Sequence, residues 1–185
     1  MFADRSILIT GASAGLGAAL AQALAAQGAR LTLMARRADR LQEVVEACQE
    51  VGGKAQAVVG DVTQPEDGVR LTQVALEAYG AIDGLIANAG LSMWARFDEV
   101  EDVSVFRRLM EVNYLGAVHC LHPAMPHLKK SRGMFVAISS IQGRIGVPHH
   151  TGYVASKHAL QGLCDALRME VADDGVAVLS VLLHW

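Results

Sequence analysis

The sequence predicts a doubly wound α/β domain, a Rossmann-type parallel sheet of about six strands with helices on both faces. Three observations lead there. Short apolar runs alternate with longer stretches of helical periodicity along the whole chain. The runs are nearly continuous in Val, Ile and Leu, as strands covered on both faces are. A glycine-rich turn, "TGASAGLG" at 10–17, separates the first run from the first helical stretch.

Taken in order, the strands are expected at 6–10 (SILIT), 29–35 (ARLTLMA), 55–60 (AQAVVG), 82–88 (IDGLIAN), 133–139 (GMFVAIS) and 176–183 (VAVLSVLL). Helices are expected between them at 15–27, 38–51, 66–79, 99–130 and 151–173. The first repeats apolar residues at helical spacing in "ALAQALAAQG" and ends on Gly28 as a C-terminal cap. Asp39 or a neighbour should cap the second, and Pro65 marks the start of the third. The long fourth helix should break near Pro123 and Pro126, because proline removes a backbone donor and crowds the preceding turn. No linker, repeat or low-complexity segment interrupts the pattern, so residues 1–185 read as one domain.

Composition narrows the function. The chain is 52% hydrophobic and 19% charged, with net charge −3, the profile of an ordinary globular protein. No basic or acidic block offers a footprint for nucleic acid or a membrane surface. Cys48, Cys120 and Cys164 are far apart without a CxxC pair, which suits free thiols in a reducing compartment. With no apolar leader segment and no run long enough to span a bilayer, a cytoplasmic protein is expected. His119 and His122 share a helix face, but no carboxylate or thiolate joins them, so no metal site is expected.

The glycine turn carries the first chemical implication. Gly11, Gly15 and Gly17 are spaced G-x-x-x-G-x-G. They permit a tight turn that aims helix N-terminal amides at a diphosphate. The second strand ends in Arg36 and Arg37 with no acid at its tip. In dinucleotide folds an acid there accepts from a free ribose 2′-hydroxyl, whereas arginine accommodates a 2′-phosphate, so NADP is favoured over NAD. "GDVT" closes the third strand: Asp61 either accepts from the adenine amino group, with Val62 against the ring, or caps the turn ahead of Pro65. "ANAG" closes the fourth, where Asn88 would tie strand ends together and Gly90 would let the backbone approach the cofactor.

Together, "TGASAGLG", "GDV", "ANAG", Asn113 in "EVNYLG", "ISS" at 138–140 and "YVASK" at 153–157 resemble the short-chain dehydrogenase/reductase superfamily, in its order and spacing. The match is nearest the NADP-preferring branch. The resemblance implies an oxidoreductase that interconverts a carbonyl and an alcohol, acting on a small molecule as a homodimer or homotetramer. It also places Ser13, Leu16 and Ala89 against the cofactor. Tyr153 would be the general acid/base. Its ordinary pKa of about 10 makes it a poor base at neutral pH, and Lys157, four residues on, would stabilise the phenolate and hold the nicotinamide ribose. Ser140, 13 residues before Tyr153, would hydrogen-bond the substrate oxygen; Ser139 would point to the opposite face. Asn113 would anchor a water linking Lys157 to solvent, or else mark a local helix irregularity. Trp94, Val147 and His149 would border the substrate, with Arg144 bracing a loop.

The resemblance also implies a Pro-Gly pair and a threonine-bearing loop after the sixth strand, then a substrate lid and a seventh strand. Here the strand runs into His184 and Trp185. The chain is therefore expected to be a C-terminally truncated member, its last strand left as an apolar edge. Two competing functions follow: a dinucleotide-binding regulatory or inactive form without turnover, and an epimerase or dehydratase relative, which the short length disfavours.

Overall fold

The computed structural model describes residues 2–184. Six parallel strands, β1 (Ser6–Thr10), β2 (Arg30–Ala35), β3 (Lys54–Val59), β4 (Gly84–Ala87), β5 (Met134–Ser140) and β6 (Ala177–Leu183), form one sheet in the order β3-β2-β1-β4-β5-β6. The helices are α1 (Gly15–Ala25), α2 (Ala38–Glu50), α3 (Pro65–Tyr79), α4 (Ser104–Met110), α5 (Gly116–Ser131) and α6 (Thr151–Glu170). Alternate strand residues explain the continuous apolar runs. Ile7, Ile9, Leu31 and Leu33 meet α1 and α2 on one face, while Leu8, Met34, Leu85 and Phe135 meet α3, α5 and α6 on the other. The strand order reverses between β1 and β4, which opens a crevice at their carboxyl ends.

Several helix ends depart from expectation. α1 stops at Ala25, and Gly28 at φ +82 turns the chain three residues later. Arg37 precedes α2 without a side-chain cap bond; Asp39 lies in the first turn, where its charge suits the helix dipole. Pro65 does open α3. The largest correction concerns 99–130. Neither proline breaks the helix: α5 runs through Pro123 and Pro126. Pro123 cannot donate to the carbonyl of His119, but that oxygen lies where a Cβ on Gly68 of α3 would come within 2.2 Å. The two helices pack closely there, and buried Leu121, Ala124 and Leu128 hold α5 against the core. The irregularity sits upstream instead, as a π-helical turn at Glu111–Leu115 between α4 and α5.

β6 is an edge strand, with Leu179 45%, Val181 38% and Leu182 37% exposed, as the apolar pattern anticipated. Of the two residues singled out beyond it, His184 follows the strand and Trp185 lies outside the described residues. Among the described residues, no helix is long and apolar enough to cross a membrane.

Candidate active site

The crevice is built from strand ends. Thr10 ends β1, and its hydroxyl accepts from the backbone N–H of both Asn88 and Ala89, each at 3.1 Å. The Asn88 amide donates to the carbonyls of Thr10 at 3.0 Å and Gly11 at 3.2 Å, so it does fasten β1 to β4. The glycine turn needs its glycines. Gly11 has φ +65, and a Cβ there would lie 2.8 Å from Ala89 Cα; a Cβ on Gly17 would lie 2.4 Å from the Gly11 carbonyl. Gly15 also has positive φ, and Leu16 beside it is 40% exposed at the start of α1.

A cleft of about 190 Å³ lies over these ends, lined by Gly11, Ser13, Arg36, Arg37, Asp61, Val62, Ala89 and Gly90, with Met34, Ala35, Gly60, Leu91 and Val112. Eight residues singled out in the sequence thus share one concavity. At its far end the Arg37 guanidinium donates to Ser13 Oγ at 3.3 Å. Asp61 faces two ways. Oδ1 accepts from Thr63 N and Thr63 Oγ1, both at 3.0 Å, fixing the turn before α3, while Oδ2 lies 3.7 Å from Arg36 Nη1. Val62 is held from behind: His119 Nδ1 lies 2.9 Å from its carbonyl, and a Cβ on Gly116 would lie 2.7 Å from its side chain. His119 is thereby engaged away from His122, and among the described residues no cluster of metal-ligating side chains forms.

The chemistry-bearing side chains lie next to the cleft, beyond its lining residue Gly90. α6 presents Tyr153 and Lys157 one turn apart, with Lys157 Nζ 5.6 Å from the centre of the tyrosine ring. Lys157 is only 4% exposed and donates to the Ile138 carbonyl at 2.8 Å. Burial lowers its pKa to about 8. Burial raises the Tyr153 pKa, and the neighbouring Ser140 hydroxyl pulls it partly back. Loss of water around the half-buried phenol is the larger of these two influences. Ser140 ends β5, where its Oγ accepts from Gln142 N at 3.2 Å and donates to the Leu183 carbonyl at 3.3 Å.

Asn113 lies inside the π turn, 2% exposed. Its Oδ1 accepts from Leu91 N at 2.7 Å, and its Nδ2 donates to Leu91 O at 2.9 Å and Ser156 Oγ at 2.8 Å. The helix irregularity and a fixed polar role thus coexist. A Cβ on Gly90 would come within 3.3 Å of Asn113 Oδ1 and 3.8 Å of Lys157 Nζ, so those three residues are neighbours. The sequence reading passed over Thr10 and Ser156. Each lay inside a quoted motif, but their hydroxyl partners are 78 and 43 residues away in sequence.

Of the outer residues, Trp94 stacks on His149 at 5.8 Å and meets His150 edge-on at 4.8 Å, and the His150 ring is 6.1 Å from Tyr153. The link from Trp94 to the tyrosine therefore runs through His150, which sequence reasoning left out. His149 adopts φ +66, and its carbonyl accepts from Ala95 N at 2.9 Å. Val147 lies elsewhere, in a shallow apolar depression with Val154 and His158. Arg144 caps the short helical turn Ile141–Gly143, its backbone N–H bonded to the Ile141 carbonyl at 2.9 Å.

The profile of the short chain dehydrogenase family matches residues 5–183. An 11-beta-hydroxysteroid dehydrogenase-like 4A of Arabidopsis thaliana is 39% identical over 175 residues, 94% of this chain and 58% of that one. An 11-beta-hydroxysteroid dehydrogenase A of Arachis hypogaea is 38% identical over 180 residues, 96% of this chain and 52% of that one. The chain therefore spans little more than half the length of these relatives. Among solved structures, a putative short-chain alcohol dehydrogenase from Sinorhizobium meliloti 1021 superposes with TM-score 0.91 at 31% identity, covering 97% of this chain and 71% of that one. An alcohol dehydrogenase from the archaeon Thermococcus sibiricus, complexed with 5-hydroxy-NADP, does so with TM-score 0.89 at 33% identity, covering 95% and 74%. NAD+-bound xylitol dehydrogenase gives 0.93 at 27% identity, covering 98% and 70%. Fold, strand-end crevice and family profile agree over nearly all of the sequence, and the chain belongs to the short chain dehydrogenase family.

Proposed function

We propose that the protein is an NADP(H)-dependent oxidoreductase interconverting a carbonyl and an alcohol on a small molecule. The observation that carries this reading is the pair Tyr153 and Lys157, one helical turn apart, with Lys157 Nζ 3.8 Å from the Cβ position of Gly90, a residue that lines the same cleft as Arg36 and Arg37. The residues fit a dinucleotide. The glycine turn and the first amides of α1 suit a diphosphate, Val62 offers an apolar wall, and the two arginines suit a 2′-phosphate. The bound dinucleotide would supply the hydride.

The chain's own residues would manage the proton and the geometry. In the reducing direction Tyr153 donates its phenolic proton to the oxygen of the substrate as charge develops there. Its raised pKa keeps that proton in place at neutral pH. Donation leaves a phenolate, which the Lys157 ammonium stabilises. Ser140 Oγ would exchange its Leu183 acceptor for the substrate oxygen. Asn113 holds the Leu91 backbone, and with it the loop that follows β4, beside Lys157. The reading extends to a homodimer or homotetramer, and to a reducing compartment such as the cytoplasm, the latter alone supported by three buried free thiols.

The test is nicotinamide absorbance of the purified protein with NADPH or NADH against a panel of aldehydes and ketones. NADPH-dependent turnover is expected. Arg36→Ala should raise the KM for NADPH at least tenfold, on the order of one bidentate charged contact, while changing that for NADH little. Equal losses for both cofactors would remove the basis for the NADP preference.

A further inference from the structure

The tip of β2 carries no acid in the sequence, yet the fold delivers one to the same place. Asp61, just beyond β3, brings Oδ2 to 3.7 Å from Arg36 Nη1 at the adenosine end of the cleft. The carboxylate is not free to turn aside. Its Oδ1 is held by Thr63 N and Thr63 Oγ1, both at 3.0 Å, and its own backbone N–H donates to Asp67 Oδ2 at 2.7 Å. The Arg36 side chain is 67% exposed, against 32% for Asp61, so the arginine is the mobile partner of a fixed acid. The other charges nearby are also engaged: Arg37 donates to Ser13, and Arg70 pairs with Asp67.

We propose that Asp61 sets the cofactor selectivity of the cleft by competing with a ribose 2′-phosphate for Arg36, so that it weakens NADP(H) binding relative to NAD(H). The inference rests on the dinucleotide-binding reading above. A 2′-phosphate must displace the carboxylate to take the Arg36 cation. A 2′-hydroxyl leaves the Arg36–Asp61 pair in place. Asp61 therefore opposes one cofactor and tolerates the other, while the arginines favour the first.

Asp61→Asn tests this, because the amide oxygen still accepts from Thr63 and keeps the turn. Dissociation constants for NADPH and NADH are measured by nucleotide fluorescence, without substrate. The ratio of the NADH constant to the NADPH constant is expected to rise roughly two- to fivefold in the variant, the range for a partly exposed charge pair. The rise should shrink in high salt, since the pair is open to solvent. It should vanish in an Arg36→Leu background, where nothing remains to compete for. An unchanged or lower ratio, or a rise that persists without Arg36, overturns the proposal. Failure of the unsubstituted protein to bind either nucleotide overturns the cofactor reading itself, before any substitution is made.

Discussion

Lys157 concentrates the physics of the site at the scale of a residue. It is 4% exposed, with the Ile138 carbonyl as its hydrogen-bond acceptor and a pKa near 8. Its pKa in the folded protein lies below its ordinary 10.5, so between those values the unfolded chain holds more protons and stability rises with pH. Below about pH 8 the buried ammonium costs roughly 3 kcal/mol, which is relieved as pH climbs toward 10.5. Compared with Lys157→Met in urea unfolding, the natural protein should gain by about that amount between neutral pH and pH 10.5. A constant difference would mean that the amine titrates as if in water. In the proposed mechanism the same titration governs chemistry. Carbonyl reduction should fall as pH rises through about 8, because a neutral amine no longer stabilises the phenolate. A rate that is flat through that range would argue against the role given to Lys157.

At the scale of elements, glycines report how closely the helices sit. A Cβ on Gly68 would lie 2.2 Å from the His119 carbonyl, a backbone atom that cannot swing away. Gly68→Ala should therefore force α3 from α5 and cost about 1–3 kcal/mol in chemical denaturation. Gly162 of α6 has open space around its Cβ position, so Gly162→Ala should instead add about 0.5–1 kcal/mol through helix propensity. These helices also show what was legible in the sequence. All six strands and most helices follow from runs and periodicity: burial on both faces leaves a continuous apolar signature in β1, β2, β4 and β5, and the edge strands β3 and β6 keep apolar runs although partly exposed. Pro123 and Pro126 misled, since local donor loss predicts a break but packing of Leu121, Ala124 and Leu128 overrides it. The π turn at Glu111–Leu115 was visible only as an asparagine in a helix, because its cause is the pairing of Asn113 with Leu91, 22 residues away. The candidate site was legible where residue type and spacing alone suggest a role, as with Tyr153, Lys157 and Arg36. It was hidden where a partner comes from a distant element, as with Thr10, Ser156 and the approach of Asp61 to Arg36.

At the scale of the molecule, the two sheet edges are unequal. β3 places Lys54 and Gln56 along its edge, whereas β6 leaves Leu179, Val181 and Leu182 exposed. Apolar edges recruit other strands. Residues 1–185 by themselves should associate with rising concentration in sedimentation velocity, and the pair Leu179→Thr and Val181→Thr should lessen that without lowering the thermal midpoint by more than a few degrees. A concentration-independent monomer would show that the strand is not adhesive. The sheet brings a glycine-rich turn and a phenol–amine pair to the carboxyl ends of its strands, and in the proposed mechanism the two act together. The most direct test is Tyr153→Phe, with NADPH affinity and carbonyl reduction measured on the same preparation. The account predicts that turnover falls by a factor of at least about a thousand while the dissociation constant changes less than about threefold. Retained turnover, or loss of nucleotide binding in parallel with it, would contradict the assignment of Tyr153 as the proton donor.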